Sequence, residues 1–162
     1  STKGLVITHS FDAPRDLVYK AFTEFEWLQR WWGPIGFKFK KASLDLKPGG
    51  IFHYCMAAPN GQEMWGKWVI KEVNAPTKFS FVSSFSDEKL ATLRHPLAET
   101  WPLETLSTIN LVEQGGKTMI ALTAEAINAN AEEQKTFKEG STSMEKALKA
   151  SLDRLEEELA KG

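Results

Sequence analysis

Residues 130–161 carry the longest helical pattern in the chain, and a helix of that length with one apolar stripe needs an extended surface to lie on. Phe137, Met144, Leu148, Leu152, Leu155 and Leu159 recur at helical spacing, while Glu132, Lys135, Lys146, Arg154 and Glu158 cover the remainder. The start is marked by Asn130 with Glu133 three residues on, the pattern of a capping box, and Glu132 and Glu133 suit the positive end of the helix dipole. Glu156, Glu157 and Glu158 read as the wet face of the last turn. No other helical segment approaches this length, so the expected partner is a sheet built from the preceding strands.

The 162 residues suit one domain, taken as 1–162, large enough to bury most of its apolar surface. A net charge of -1 with both signs scattered offers no basic field, so neither nucleic acid nor a membrane is an expected partner. Cys55 is the lone cysteine, which rules out an intrachain disulfide and agrees with a reducing compartment. His9, His53 and His95 lie far apart without paired ligand spacing, so no metal and no cofactor is expected. Residues 1–7 lack the basic start and long apolar run of a signal peptide, and no segment is apolar for long enough to span a bilayer; the expected location is cytoplasmic. Six Trp and ten Phe are the unusual component, suited to a core, a pocket or both.

The alternation of Leu5, Ile7 and His9 with Val6, Thr8 and Ser10 predicts a strand over 4–11. Asp12 then reads as the cap of a helix that runs to Thr23 through Leu17, Val18, Ala21 and Phe22. A second short helix, 24–31, ends at Gly33-Pro34. The next strand alternates through Phe37, Phe39 and Leu44 with Lys38, Lys40 and Lys41 outward, and Pro48-Gly49-Gly50 turns into a strand whose Phe52, Tyr54 and Met56 face inward, leaving Ile51, His53 and Cys55 outward. Asn60-Gly61 marks a hairpin tip; Met64, Gly66, Trp68 and Ile70 face inward on its second strand, followed by an inner row of Phe79, Phe81, Ser83 and Phe85. Residues 86–102 hold too many turn formers for a strand and too many large side chains for a slack linker, which predicts a long ordered loop. Two more strands follow, with Leu103, Thr105, Ser107, Ile109 and Leu111 on one face of the first and Ile120, Leu122 and Ala124 on the second. The order is one strand, two short helices, about six consecutive strands and the long helix. It predicts an α+β helix-grip fold, a curved antiparallel sheet wrapped around the final helix.

Several ordered motifs resemble one family. Asp12-Ala13-Pro14, Trp31-Trp32-Gly33-Pro34, Asp45-Leu46-Lys47-Pro48-Gly49-Gly50, Pro59-Asn60-Gly61, Arg94-His95-Pro96, Thr100-Trp101-Pro102-Leu103-Glu104, Gln114-Gly115-Gly116-Lys117-Thr118 and Ser151-Leu152-Asp153-Arg154-Leu155 are similar to the branch of the START and birch-pollen-allergen-like superfamily (SRPBCC) named after the activator of the Hsp90 ATPase. The resemblance implies a helix-grip fold with a deep apolar cavity, in a superfamily whose members carry lipids or bind and cyclise polyketides. Many relatives place Gly-Trp just before the Ser-Leu-Asp-Arg-Leu segment, where this chain has Ala147-Leu148, which implies a larger or reshaped cavity.

The aromatic rows of Phe52, Tyr54, Trp68, Phe79, Phe81 and Phe85, with Trp101 and the helix residues Gly140, Met144 and Leu148, are the expected lining of a pocket for a small hydrophobic molecule. Each ring is equally a core residue, but as a set they oppose the small Gly140 and Ser141. His95, with Glu99 and Glu104 near it in sequence, is the one cluster suited to acid-base work, as in a cyclase or hydrolase of aromatic polyketide-like substrates; the plainer reading is a shaped loop with solvated acids. Trp31 and Trp32 read as a lid or, more simply, as a helix stop with one indole inward and the other over the sheet edge. Three functions follow as expectations: enclosure of a small hydrophobic ligand, catalysis through His95 and Glu104, and, from the family name alone, a chaperone-associated module.

Overall fold

The first strand, β1 (Leu5–Phe11), pairs antiparallel with the last, β8 (Lys117–Ile127), and this closing pair sets the shape of the molecule. In the computed structural model, which describes residues 4–162, two helices follow β1: α1 (Arg15–Thr23) and α2 (Phe25–Trp31). Residues 1–3, part of the stretch read for a targeting signal, lie outside the described residues. Next come β2 (Lys38–Leu44), β3 (Ile51–Ala57), β4 (Glu63–Asn74), β5 (Lys78–Ser86), the two-residue β6 (Thr92–Leu93), β7 (Glu104–Gln114) and finally, after β8, α3 (Ala131–Lys161). The strand order is β1-β8-β7-β5-β4-β3-β2, antiparallel throughout, with β6 added to β5 inside the 86–102 loop. The sheet is curved, and α3 lies in its grip: this is the α+β helix-grip fold. Strands β1 and β2 form the two edges, so α1 and α2 carry the chain from one edge to the other. Lys38, Lys40 and Lys41 on the exposed edge strand discourage pairing with another sheet.

Phe37 and Phe39 share a face with Leu44 only if the two-residue period slips once. The slip is a bulge between Phe39 and Lys41, after which Leu44 pairs with Phe52. The first helix corrects the cap expected at Asp12. Pro14 is the N-cap, with extended backbone and no side-chain bond, and the free amide of Arg15 donates instead to Glu113 Oε2 at 3.2 Å from the end of β7. Cys55 points to the outer face, as the alternation predicts, and is buried there under Glu63 and near Lys40 and Lys41, with burial and the Glu63 carboxylate pushing its thiol pKa up. The wet face expected at the end of α3 is also only partial. Glu158 accepts from Arg30 Nε at 2.9 Å, and Arg30 Nη2 reaches the Glu158 carbonyl at 3.1 Å, which pins α2 to α3.

At its other end α3 holds the 86–102 loop. Asn130 and Glu133 make the reciprocal capping box. Glu133 then takes Arg94 Nη1 at 2.6 Å, while Thr136 donates to Thr100 at 2.8 Å. The Asn130 backbone N–H and the Arg94 guanidinium hold the Glu133 carboxyl below its ordinary value. A carboxylate with a depressed folded pKa contributes stability that is fully present above the unfolded value and lost as pH falls through the folded one. Glu133→Gln is therefore expected to lower the urea midpoint at pH 7. The gap from wild type should narrow once the pH drops below the ordinary carboxylate value of 4.5; a gap unchanged at acid pH would contradict the ion pair's role. Among the described residues no helix is long and apolar enough to cross a membrane.

Candidate functional site

A helix buried along one stripe should bury a residue every turn, but α3 does so only at its ends. Glu133 and Phe137 are buried near the start and Ser151, Leu152 and Leu155 near the end; none is buried between them. The sheet beneath changes in the same region. Phe79, Phe81, Ile109 and Leu111 give way to small side chains: Ser83 pairs with Thr105, Phe81 with Ser107, and Ser107 with Ala124. Small residues on three neighbouring strands under a helix that stands off leave a hollow of about 220 Å³, with Met144, Leu148 and Leu152 as its roof. Ser83, Thr105, Ser107 and Ala124 are its floor.

Rings from two directions make its walls. Trp68 of β4 stacks on Phe81 of β5, centroids 3.8 Å apart and nearly coplanar at 12°. Trp32 stands edge-on to Trp68 at 5.1 Å, and the buried Trp31 donates its Nε1–H to the Ala21 carbonyl at 2.9 Å. The expected division of the two indoles is thus corrected: Trp31 is inward, but Trp32 walls the hollow and does not cover the sheet edge. A second chamber of about 160 Å³ adjoins, sharing Trp32, Trp68, Ser83 and Thr105 and adding Tyr54, Gly66, Phe85 and Trp101. Beyond it a groove of about 810 Å³ shares Met64, Trp65 and Phe85 and opens along the 86–97 segment.

Of the residues singled out in the sequence, Trp68, Phe81, Met144 and Leu148 meet at the inner hollow, and Tyr54, Phe85 and Trp101 at the outer chamber. Phe52 and Phe79 line neither; both are fully enclosed core rings, Phe52 among Phe25, Phe39 and Tyr54, and Phe79 beside Tyr19. Gly140 faces a ring from the loop and not from the sheet, since a Cβ placed on it would fall 2.9 Å from the Trp101 indole. His95 and Glu104 are not brought together in either chamber. His95 lines the outer groove, edge-on to Phe85, and its Nδ1 accepts from the Leu97 N–H at 3.0 Å; Glu104 accepts from Asn128 at 3.2 Å. Among the described residues no three His, Cys, Asp or Glu side chains form a cluster fit for a metal.

The sequence reading did not single out Phe22, Ser83, Thr105, Ser107 or Leu152 as lining. The signal for the floor was present: hydroxyl residues in two inner rows that are otherwise Phe, Ile and Leu. Tyr54 sets the electrostatics of the outer chamber. Burial pushes its phenol pKa up to about 12, partly opposed by the indoles of Trp68 and Trp32 close to its oxygen, so it stays a neutral hydroxyl. No residue lining either chamber carries a charge.

A curved sheet gripping a helix over an uncharged, ring-walled hollow defines a helix-grip protein with a ligand-sized interior. The model of the family described as Activator of Hsp90 ATPase homolog 1-like protein matches residues 12–160, and the chain belongs to that family. No curated protein sequence matches the chain. Solved structures share the fold. A protein from Arthrobacter aurescens, solved in solution by NMR, is 24% identical with a TM-score of 0.79, covering 99% of this chain and 88% of its own. A Mycobacterium smegmatis protein is 24% identical at a TM-score of 0.73, covering 96% and 89%. A Nitrosomonas europaea protein is 21% identical at 0.76, covering 98% and 94%.

Proposed function

We infer that the protein binds a small hydrophobic molecule in the hollow between sheet and α3. The observation that carries this reading is the coincidence of a helix segment without buried residues and a floor of small side chains directly below it. An apolar space of this order accepts an aromatic ring in place of water, and the affinity comes from apolar burial. The shared rings between hollow, chamber and groove supply an entry path past Phe85 and Trp101. Catalysis through His95 and Glu104 would need both in the hollow, and they stand elsewhere.

N-phenyl-1-naphthylamine, a neutral fluorophore made of a naphthalene and a phenyl ring, tests the reading. The expected result is saturable, one-to-one binding with a blue-shifted emission. Leu148→Trp should fill the roof and weaken that binding about 100-fold or more, a loss of about 2.7 kcal/mol, without loss of folding stability. Absence of any probe binding by the wild type, together with no apolar mass retained in native mass spectrometry after gentle purification, would overturn it. The family's name also suggests a chaperone-associated role. The surface suited to it is the exposed strip of Leu90, Leu93 and Leu97, and stimulation of a purified Hsp90 ATPase by this chain is its test.

A further inference from the structure

A hydroxyl enclosed among apolar side chains is costly unless it is bonded, so each one needs a partner. Thr23, Ser86 and Thr118 are enclosed hydroxyl residues elsewhere in the chain, and each donates to a backbone carbonyl at 2.8 Å. The floor of the hollow is different. Ser83 reaches only the Thr105 carbonyl, at 3.4 Å. Among the described residues the Thr105 and Ser107 hydroxyls have no hydrogen-bond partner, and neither belongs to the sealed, unpartnered atoms, which are Arg15 Nε, Trp68 Nε1 and Arg154 Nε. Both oxygens are therefore open. Both residues stay only partly buried although β7 is an inner strand, between β5 and β8, with α3 above it. Ser107 opens into the hollow, and Thr105 into the hollow and the outer chamber. Trp68 contributes its ring alone, since its indole nitrogen is sealed from both spaces.

We propose that the open hydroxyls of Thr105 and Ser107 are the polar anchor of the hollow and hold an uncharged hydroxyl or carbonyl oxygen on one edge of an apolar ligand. This rests on the binding reading above and adds the chemical class. A hydroxyl side chain both donates and accepts, so it serves a ligand alcohol, phenol or ketone alike. It does not serve a carboxylate here. No charged side chain lines either chamber, so an anion would be buried without a counter-charge, at far greater cost than a neutral oxygen. The register supplies the shape. Thr105 and Ser107 stand two residues apart on one face of β7, about 7 Å along the strand, with Ser83 beside Thr105 and Ala124 beside Ser107. The polar groups thus lie on the floor, while Met144, Leu148 and Leu152 opposite offer only apolar contact. A ligand that satisfies both sides is polar along one edge and apolar along the other.

Naphthalene, 2-naphthol and 2-naphthoate share one ring system and separate the possibilities. The wild type is expected to bind 2-naphthol about tenfold tighter than naphthalene, and 2-naphthoate more weakly than either. In the double variant Thr105→Val/Ser107→Ala the neutral pair should reverse its order, naphthalene binding about tenfold tighter, because the naphthol hydroxyl is then buried without a partner. Should the double variant fail to fold, Thr105→Val alone must narrow the naphthol advantage. Thr105→Val nearly keeps the side-chain shape, and with no bond to lose its urea midpoint without ligand should equal or exceed that of the wild type. A lowered midpoint would mean that the hydroxyl is bonded in the free protein and overturns the anchor. Naphthalene bound by the wild type as tightly as 2-naphthol, or an order unchanged in the variant, also overturns the anchor and leaves the hydrophobic-binding reading standing. Tightest binding of 2-naphthoate overturns the neutral class. If all three probes fail while N-phenyl-1-naphthylamine binds, the anchor alone falls; if that fluorophore fails as well, both readings fall together.

Discussion

Gly66→Ala is expected to destabilise the protein by about 2–3 kcal/mol, although the change adds one methyl group to a central strand where glycine is normally the worse residue. Without a steric conflict the substitution would be neutral or favourable, since alanine loses less backbone freedom on folding. The conflict is specific. The new Cβ meets the Tyr54 hydroxyl oxygen at 2.5 Å, Cζ at 2.6 Å and Cε1 at 2.9 Å, so the ring must leave its place. On the core side its way is closed. Tyr54 sits between Phe52, at 4.9 Å between centroids, and Phe39, at 5.9 Å, and is itself buried. Urea denaturation of wild type, Gly66→Ala, Tyr54→Ala and the double variant tests the cause directly. Tyr54→Ala removes the ring that the methyl strikes, so the double variant should be more stable than the sum of the single losses by more than about 1 kcal/mol. Strict additivity would show that the methyl group and the ring do not conflict. The same displacement would move a ring that lines the outer chamber, so N-phenyl-1-naphthylamine binding should change in Gly66→Ala even where the protein remains folded.

The sequence made the scaffold legible because its signals are local and redundant. Asn130 and Glu133 announced the start of α3 three residues apart in the chain, and the cap is present as both reciprocal bonds. Period-two rows placed Trp68, Phe81, Ile109 and Ile120 inside. The helix-grip arrangement then followed from consecutive strands and one long helix. Distant partners were not legible. Arg15 is capped by a glutamate that comes 98 residues later, which no local pattern at Asp12 or Pro14 could disclose. Which ring is core and which is wall depends on what lies opposite: Phe52 and Phe81 belong to identical inner rows, but Phe52 is covered by Phe25 and Phe39 while Phe81 faces the standing-off part of α3. Trp32 was misplaced for the same reason. Its wall position is set by where α2 meets α3, through Arg30 with Glu158 and Arg154 with the Gly33 carbonyl, contacts between residues more than a hundred positions apart.

Leucine-to-alanine changes at two positions of one stripe should have sharply unequal costs. Leu155 and Leu148 are two turns apart on the same face of α3, so chemistry, helix propensity and sequence pattern are matched. Leu155 is 0% exposed and packed into the core, whereas Leu148 is half-buried and roofs the hollow. Removing Leu155 leaves a new void in close-packed surroundings, and the expected loss is about 4 kcal/mol. Removing Leu148 enlarges a space that already exists and forfeits contacts on one side only, so the expected loss is about 1–2 kcal/mol. Ligand affinity should reverse the order. Leu148→Ala should admit a bulkier probe than the wild type does, while Leu155→Ala, if folded at the assay temperature, should leave probe selectivity unchanged because Leu155 does not line the hollow. Urea midpoints and N-phenyl-1-naphthylamine titrations of the two variants measure both quantities. Equal destabilisation would mean that the middle of α3 is packed as tightly as its end, and a helix seated along its whole length leaves no interior for a ligand to enter.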